Sequence, residues 1–179
     1  VIAARFEGVE LAIRVEDERG KVPLNQVGER TAAALARAAG LDDAQDLRIA
    51  ADSLLDWVDD DGEPRLFGAE AAHYRRSATP PRNGPMLSVD ELGSVRGWTR
   101  AMVERVRPFV TVHFGNGGFD LRNARPEAIG VMQGGEVAGF DEIVRARAAA
   151  GQREAIDTTA PLDLSGRALS IRAEARARR

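Results

Sequence analysis

Ala51-Asp52-Ser53-Leu54-Leu55-Asp56-Trp57-Val58-Asp59-Asp60-Asp61-Gly62-Glu63-Pro64-Arg65 decides how the rest of this chain is read. Leu47, Ala50, Ala51, Leu54, Leu55 and Val58 recur at spacings of three and four, which predicts a helix over 46–58. That helix must stop in the run Asp59 to Pro64, because Pro64 cannot continue it. The helix therefore ends in a pile of carboxylates. Asp56, Asp59, Asp60, Asp61 and Glu63 repel one another, and acids at a helix C-terminus oppose its dipole. A cation or a nearby arginine such as Arg65 must offset them.

Counted from Asp59 as position 1, Asp61 is 3, Glu63 is 5 and Glu70 is 12, the ligand rhythm of a calcium loop built from hard oxygens. The sixth position is Pro64, where an EF-hand needs glycine, so this is not an EF-hand. A solvated acidic turn accounts for the same residues without any ion. Both readings stand at this point.

Outward from the acidic run, the pattern alternates between strand-like ends and a helical middle. Gly8 to Val15 alternates polar and apolar residues and predicts a strand; Asp17-Glu18-Arg19-Gly20 is a turn, and Lys21 to Asn25 a short return strand limited by Pro23. Glu29 to Gly40 is an alanine-rich helix closed by glycine. Ala69 to Arg76 predicts a short helix, and Ser77 to Pro85 an irregular connection. Ser88 and Glu91 form a capping box that starts a helix ending at Gly97; Thr99 caps the next, Arg100 to Val106, which Pro108 terminates. Phe109 to Phe114 reads as the clearest strand, Gly115 to Gly118 as a turn, and Pro126–Met132 and Phe140–Ala150 as two short helices. Ala168 to Ala175 alternates as a final strand. Strands, then helices, then strands argue for an α+β fold with a helical insertion inside a small sheet.

Composition excludes several functions. The chain has 179 residues, no cysteine and a net charge of −3. It can bury a core without staples, and it has no disulfide framework, thiol nucleophile or Cys-ligated metal. No apolar stretch is long enough to span a bilayer. Nine acids against Arg48 alone lie between Asp42 and Glu63, whereas five arginines crowd the stretch from Leu164 to Arg179. The hairpin around Gly97-Trp98-Thr99 resembles a helix-hairpin-helix DNA module but lacks its second glycine, and its acidic setting argues against nucleic acid. Trp98 reads as a core or interface anchor. His73 and His113 stand in no hydrolase or zinc motif. Paired acids could serve a carboxylate-based hydrolase, which is the alternative reading of the Asp56–Glu70 loop, but few aromatics are present to line a sugar cleft.

Several segments together resemble one family, the minor pseudopilin K proteins of the bacterial type II secretion system. Asp17-Glu18-Arg19-Gly20-Lys21-Val22-Pro23-Leu24-Asn25 is similar to that family's early Asp-Glu-x-Gly-Lys motif, with Pro23 in place of an Asn. Asp56-Trp57-Val58-Asp59-Asp60-Asp61, followed by Gly68-Ala69-Glu70 and Tyr74, is the most specific match; Ala71 stands where a second acid is usual. Ser88 to Leu92 with Gly97-Trp98-Thr99 resembles the family's hairpin, and Pro108 to Val112 follows as it should. Asp120 to Pro126 departs from the family's Asn-x-Asn-Thr-Ala-Pro.

The resemblance implies a pilin-like antiparallel sheet, residues 1–27 and 155–179, carrying an inserted helical domain, residues 28–154, with a helix-hairpin-helix-like unit. It implies a non-enzymatic subunit at the tip of the periplasmic pseudopilus, in contact with the I and J minor pseudopilins and with the H pseudopilin, and no nucleic acid partner. It implies calcium in the helical domain, with Asp59, Asp61, Glu63 and Glu70 as ligands and Asp56 as a further one. An N-terminal hydrophobic helix anchoring the full-length protein in the inner membrane is expected upstream of Val1, and a truncated or disordered C-terminus at Arg179.

Overall fold

The computed structural model describes residues 2–6, 9–75, 81–115, 117–121, 123–134 and 165–177. Strand β1 (Ile2–Phe6) and strand β2 (Val9–Asp17) form an antiparallel hairpin. The other edge of β2 pairs antiparallel with β5 (Leu169–Ala177), from Val9 opposite Ala177 to Asp17 opposite Leu169. The sheet order β1-β2-β5 puts the start and end of the chain side by side. Everything between Asp17 and Leu169 is thus inserted between neighbouring strands.

Directly opposed residues of an antiparallel pair share a face. Leu11, Ile13 and Val15 therefore align with Ala175, Ala173 and Ile171, while Glu10, Arg14 and Glu16 align with Arg176, Arg172 and Ser170. One face is apolar and one charged. On the apolar face Ile171 is 70% exposed, so the sheet contributes little to the core of the described residues.

That core belongs to the helices. Helix α1 (Glu29–Ala38) packs along helix α2 (Ala44–Val58), joined by helix α3 (Arg100–Val106) and helix α4 (Pro126–Met132). Alanines 32, 34 and 36 are buried on α1 and let the helices approach closely. Leu35, Leu54, Trp57, Leu92, Val95, Trp98, Val106 and Ile129 fill the space between them. Burying a side chain of Leu54's size fully is worth about 1.5–3 kcal/mol, so this cluster dominates the fold. Asp43 caps α2 by accepting from the Gln45 and Asp46 N–H groups, and Arg105 Nη1 donates to the Ala39 carbonyl at the end of α1 at 2.7 Å. Gly97, at φ +84°, lets the turn before α3 pack against the Ala50 backbone, where a Cβ would stand 3.0 Å from Ala50 Cα, and the Trp98 indole N–H donates to the Ala50 carbonyl at 3.0 Å.

The turn Asp17 to Lys21 joins the sheet to the helices. Asp17 is fully buried and holds both Arg19, at 3.2 Å, and Arg167, at 2.9 Å. Glu18 accepts from Lys21 at 2.6 Å and from the Ser170 hydroxyl, and its N–H donates to the Ala168 carbonyl. Buried acids so arranged lose stability if one partner goes, since the charge left behind has no water.

Four local expectations are corrected. The return over Lys21 to Asn25 is only strand β3 (Val22–Pro23), and it pairs not with β2 but in parallel with strand β4 (Val110–Thr111). Asn25 instead spends its amide on the Met86 backbone, accepting from its N–H and donating to its carbonyl. Phe109 to Phe114 shrinks to those two strand residues, because Phe109 belongs to the 3₁₀ turn Arg107–Phe109 and only two residues find a partner. Residues 71–75 form turns, not a helix, and the Ser88 box opens a 3₁₀ helix, Val89–Ser94, not an α-helix. The helix expected over 140–150 lies outside the described residues.

Candidate functional site

Helix α2 builds the site from one face. Asp52 and Asp56 lie four residues apart, hence one above the other. After α2 the chain folds back along them. The Phe67 N–H donates to Asp52 Oδ2 at 3.1 Å, and the Arg65 N–H lies 3.3 and 3.2 Å from the two Asp56 oxygens. Gly68 has to be glycine here, since a Cβ would stand 1.9 Å from Asp56 Oδ2. Arg96 holds the other side of the loop by donating from Nη1 to the Gly68 carbonyl at 3.0 Å.

Asp59 ends the helix with an extended backbone, its N–H still bonded to the Leu55 carbonyl. Asp61 Oδ1 accepts from the Glu63 N–H at 2.9 Å, which turns the chain toward Pro64. The side-chain amide of Asn83 donates to the Asp61 carbonyl and tethers the loop from outside. Trp57 lies beneath, 1% exposed, with its ring edge-on to Tyr74 at 5.2 Å. Tyr74 Oη in turn accepts from the Arg96 N–H.

The carboxylates divide into two groups that share one member. Asp56, fully buried, and Asp59 both accept from Arg65 Nη1, at 2.7 and 2.6 Å. Asp59 also joins Asp61 and Glu70, with one oxygen from each of the three within 4.8 Å of the others. Glu70 is 6% exposed, and neither of its oxygens has a hydrogen-bond partner; Asp59 Oδ1 is likewise buried and without one. Burial pushes the Glu70 carboxyl above its ordinary range, with Asp56 and Asp59 adding to the effect; the Ala71 N–H, short of hydrogen-bond geometry, offsets little of it. The Asp59 carboxylate, more than that of Asp56, holds the Arg65 guanidinium above its ordinary pKa.

A buried carboxylate with no donor is costly unless something positive faces it. Glu70 therefore fits a cation, and three converging carboxylates fit a hard one. Of the five residues expected as ligands, Asp59, Asp61 and Glu70 converge, Asp56 is engaged by Arg65, and Glu63 is exposed, with its N–H given to Asp61. His73 and His113 are both exposed. Sequence reasoning missed Asn83, which carries no local signal, and the role of Asp52, which the four-residue spacing to Asp56 would have revealed.

Known proteins resemble this chain. Residues 12–115 match the family model "Type II secretion system (T2SS), protein K". The type II secretion system protein K of Dickeya chrysanthemi is 41% identical over 73 residues, covering 41% of this chain and 20% of that protein. A putative type II secretion system protein K of Escherichia coli K12 is 38% identical over 63 residues, 34% of this chain and 19% of that protein. The matched stretches thus span about a fifth of these relatives' length. In the crystal structure of the GspK-GspI-GspJ complex of the enterotoxigenic Escherichia coli type 2 secretion system, one chain superposes with a TM-score of 0.65 at 12% identity. That match covers 98% of this chain and 73% of the other, and it supports the same α+β fold.

Proposed function

This chain belongs to the type II secretion system protein K family, and from that premise we propose that it is a minor pseudopilin at the tip of the periplasmic pseudopilus. Its partners in this role are the I and J minor pseudopilins, with the H pseudopilin next in the stack. The observation that carries the reading is the family match over residues 12–115, which runs from within β2 through the acidic loop to just past β4. The insertion of a helical body between β2 and β5 suits a terminal position, because its bulk obstructs a further pilin-like subunit above it.

The work is mechanical in this reading, and the acids serve structure, not catalysis. Asp59, Asp61 and Glu70 would hold a calcium ion, which supplies the positive charge that buried Glu70 lacks and ties the loop to the end of α2. In the full-length protein an N-terminal hydrophobic helix anchors the chain in the inner membrane, with the folded part in the periplasm. The uncharged face of the sheet, Leu11, Ile13 and Val15 beside Ile171 and Ala173, supports such an apolar neighbour.

The test uses secretion and pseudopilus length in cells lacking their own K protein. The full-length protein should restore both. A version without residues 30–150 should leave pseudopili longer than normal; pseudopili of normal length would refute capping by the helical body.

A further inference from the structure

Asp59 stands at the border of the two carboxylate groups, and its two oxygens are used differently. Oδ2 is 2.6 Å from Arg65 Nη1, while Oδ1 is buried and has no hydrogen-bond partner. On one side Arg65 bridges Asp56 and Asp59; on the other Asp61 and Glu70 converge with Asp59, and among the described residues no hydrogen-bond donor meets either Glu70 oxygen. One guanidinium thus serves a group of four carboxylates and contacts two of them. A cation held by Asp59, Asp61 and Glu70 would share a carboxylate with Arg65, and like charges that share an anion repel each other.

We propose that Arg65 is the built-in counter-ion of the acidic loop and competes with the divalent cation for Asp59, so that it sets how weakly the loop binds that cation. The inference rests on the metal reading of the loop given above. Without the ion, Arg65 keeps the helix end closed by bridging Asp56 and Asp59. With the ion, Asp59 turns its charge toward the metal and Arg65 is left to Asp56. The Arg65 side chain is 36% exposed, so its head has room to withdraw from Asp59. Its N–H bonds to Asp56 belong to the backbone and are kept when the side chain becomes Gln or Lys, which keeps the loop on its path.

The experiment is calcium titration by calorimetry, with thermal melting in calcium and in EGTA, on the purified chain and its R65Q and R65K variants. R65Q should bind calcium about ten-fold more tightly, as expected when a site gains net negative charge. It should also melt lower than the unmodified chain in EGTA, and calcium should close that gap. R65K, which keeps the charge, should bind close to the unmodified chain. In the unmodified chain, which needs no variant to fold, the Arg65 guanidinium N–H resonances should move along the calcium titration with the same midpoint. If calcium binds but R65Q binds it no more tightly, or the Arg65 resonances stay fixed, the competition is refuted while the metal reading stands. If none of the three proteins binds calcium, the metal reading falls and the competition with it.

Discussion

Asp56 is the residue on which the acidic loop hangs. It is fully buried, and it takes both the Arg65 guanidinium and the Arg65 backbone N–H. D56A should cost about 2–3 kcal/mol in denaturant unfolding, less than the loss of a wholly buried pair because Arg65 still reaches water. G68A should cost a similar amount, about 2 kcal/mol, since its Cβ falls on Asp56 Oδ2. Glu70 should behave in the opposite way. In EGTA, E70Q should melt at or above the parent temperature, because it removes a buried charge that no donor satisfies, and it should lose the gain that calcium confers on the parent. Glu16 gives the pH prediction. Burial pushes its carboxyl up, but Lys21 at 3.4 Å, Arg125 at 3.2 Å and Arg14 outweigh burial and hold it below the usual value. A carboxyl whose pKa is lower folded than unfolded stabilises the fold above its unfolded value, and that stability fades as pH falls through the folded one. E16Q should therefore cost about 1 kcal/mol at neutral pH, with the gap closing below about pH 4.

At the scale of elements, the junction between α2 and the turn before α3 makes the sharpest prediction. Gly97 sits at positive φ, and a Cβ there would stand 3.0 Å from Ala50 Cα, so G97A meets strain and a clash together and should cost about 2–3 kcal/mol by chemical denaturation. W98F should cost about 1–2 kcal/mol, because it leaves the Ala50 carbonyl without its indole donor in a dry core. Helices α1 to α3 were legible from the sequence because they carry local signals: apolar positions at three and four in α2, Thr99 as the cap of α3, Gly40 and Pro108 as stops. Strands β3 and β4 were not, since a strand needs a partner that no local pattern names. Phe109 to Phe114 has the composition of a long strand, yet only Val110 and Thr111 meet β3. The site shows the same division. Repulsion among the acids after α2 pointed to a compensating charge, and Arg65 supplies one to Asp56 and Asp59; the amide of Asn83, arriving from a separate loop, could not be read from its neighbours.

At the scale of the whole molecule, a three-stranded sheet and a helical body are joined through the charged turn Asp17 to Lys21, where Arg167 and Ser170 of the returning chain meet Asp17 and Glu18. This junction links the helical body to the sheet through paired charges and the Glu18 N–H bond to the Ala168 carbonyl. The most direct measurement is size-exclusion chromatography with light scattering on this chain mixed with the soluble portions of its I and J pseudopilins, in calcium. Co-elution as a single species with the mass of one copy of each is the predicted result. Three separate peaks at their individual masses, with each protein folded, would contradict it.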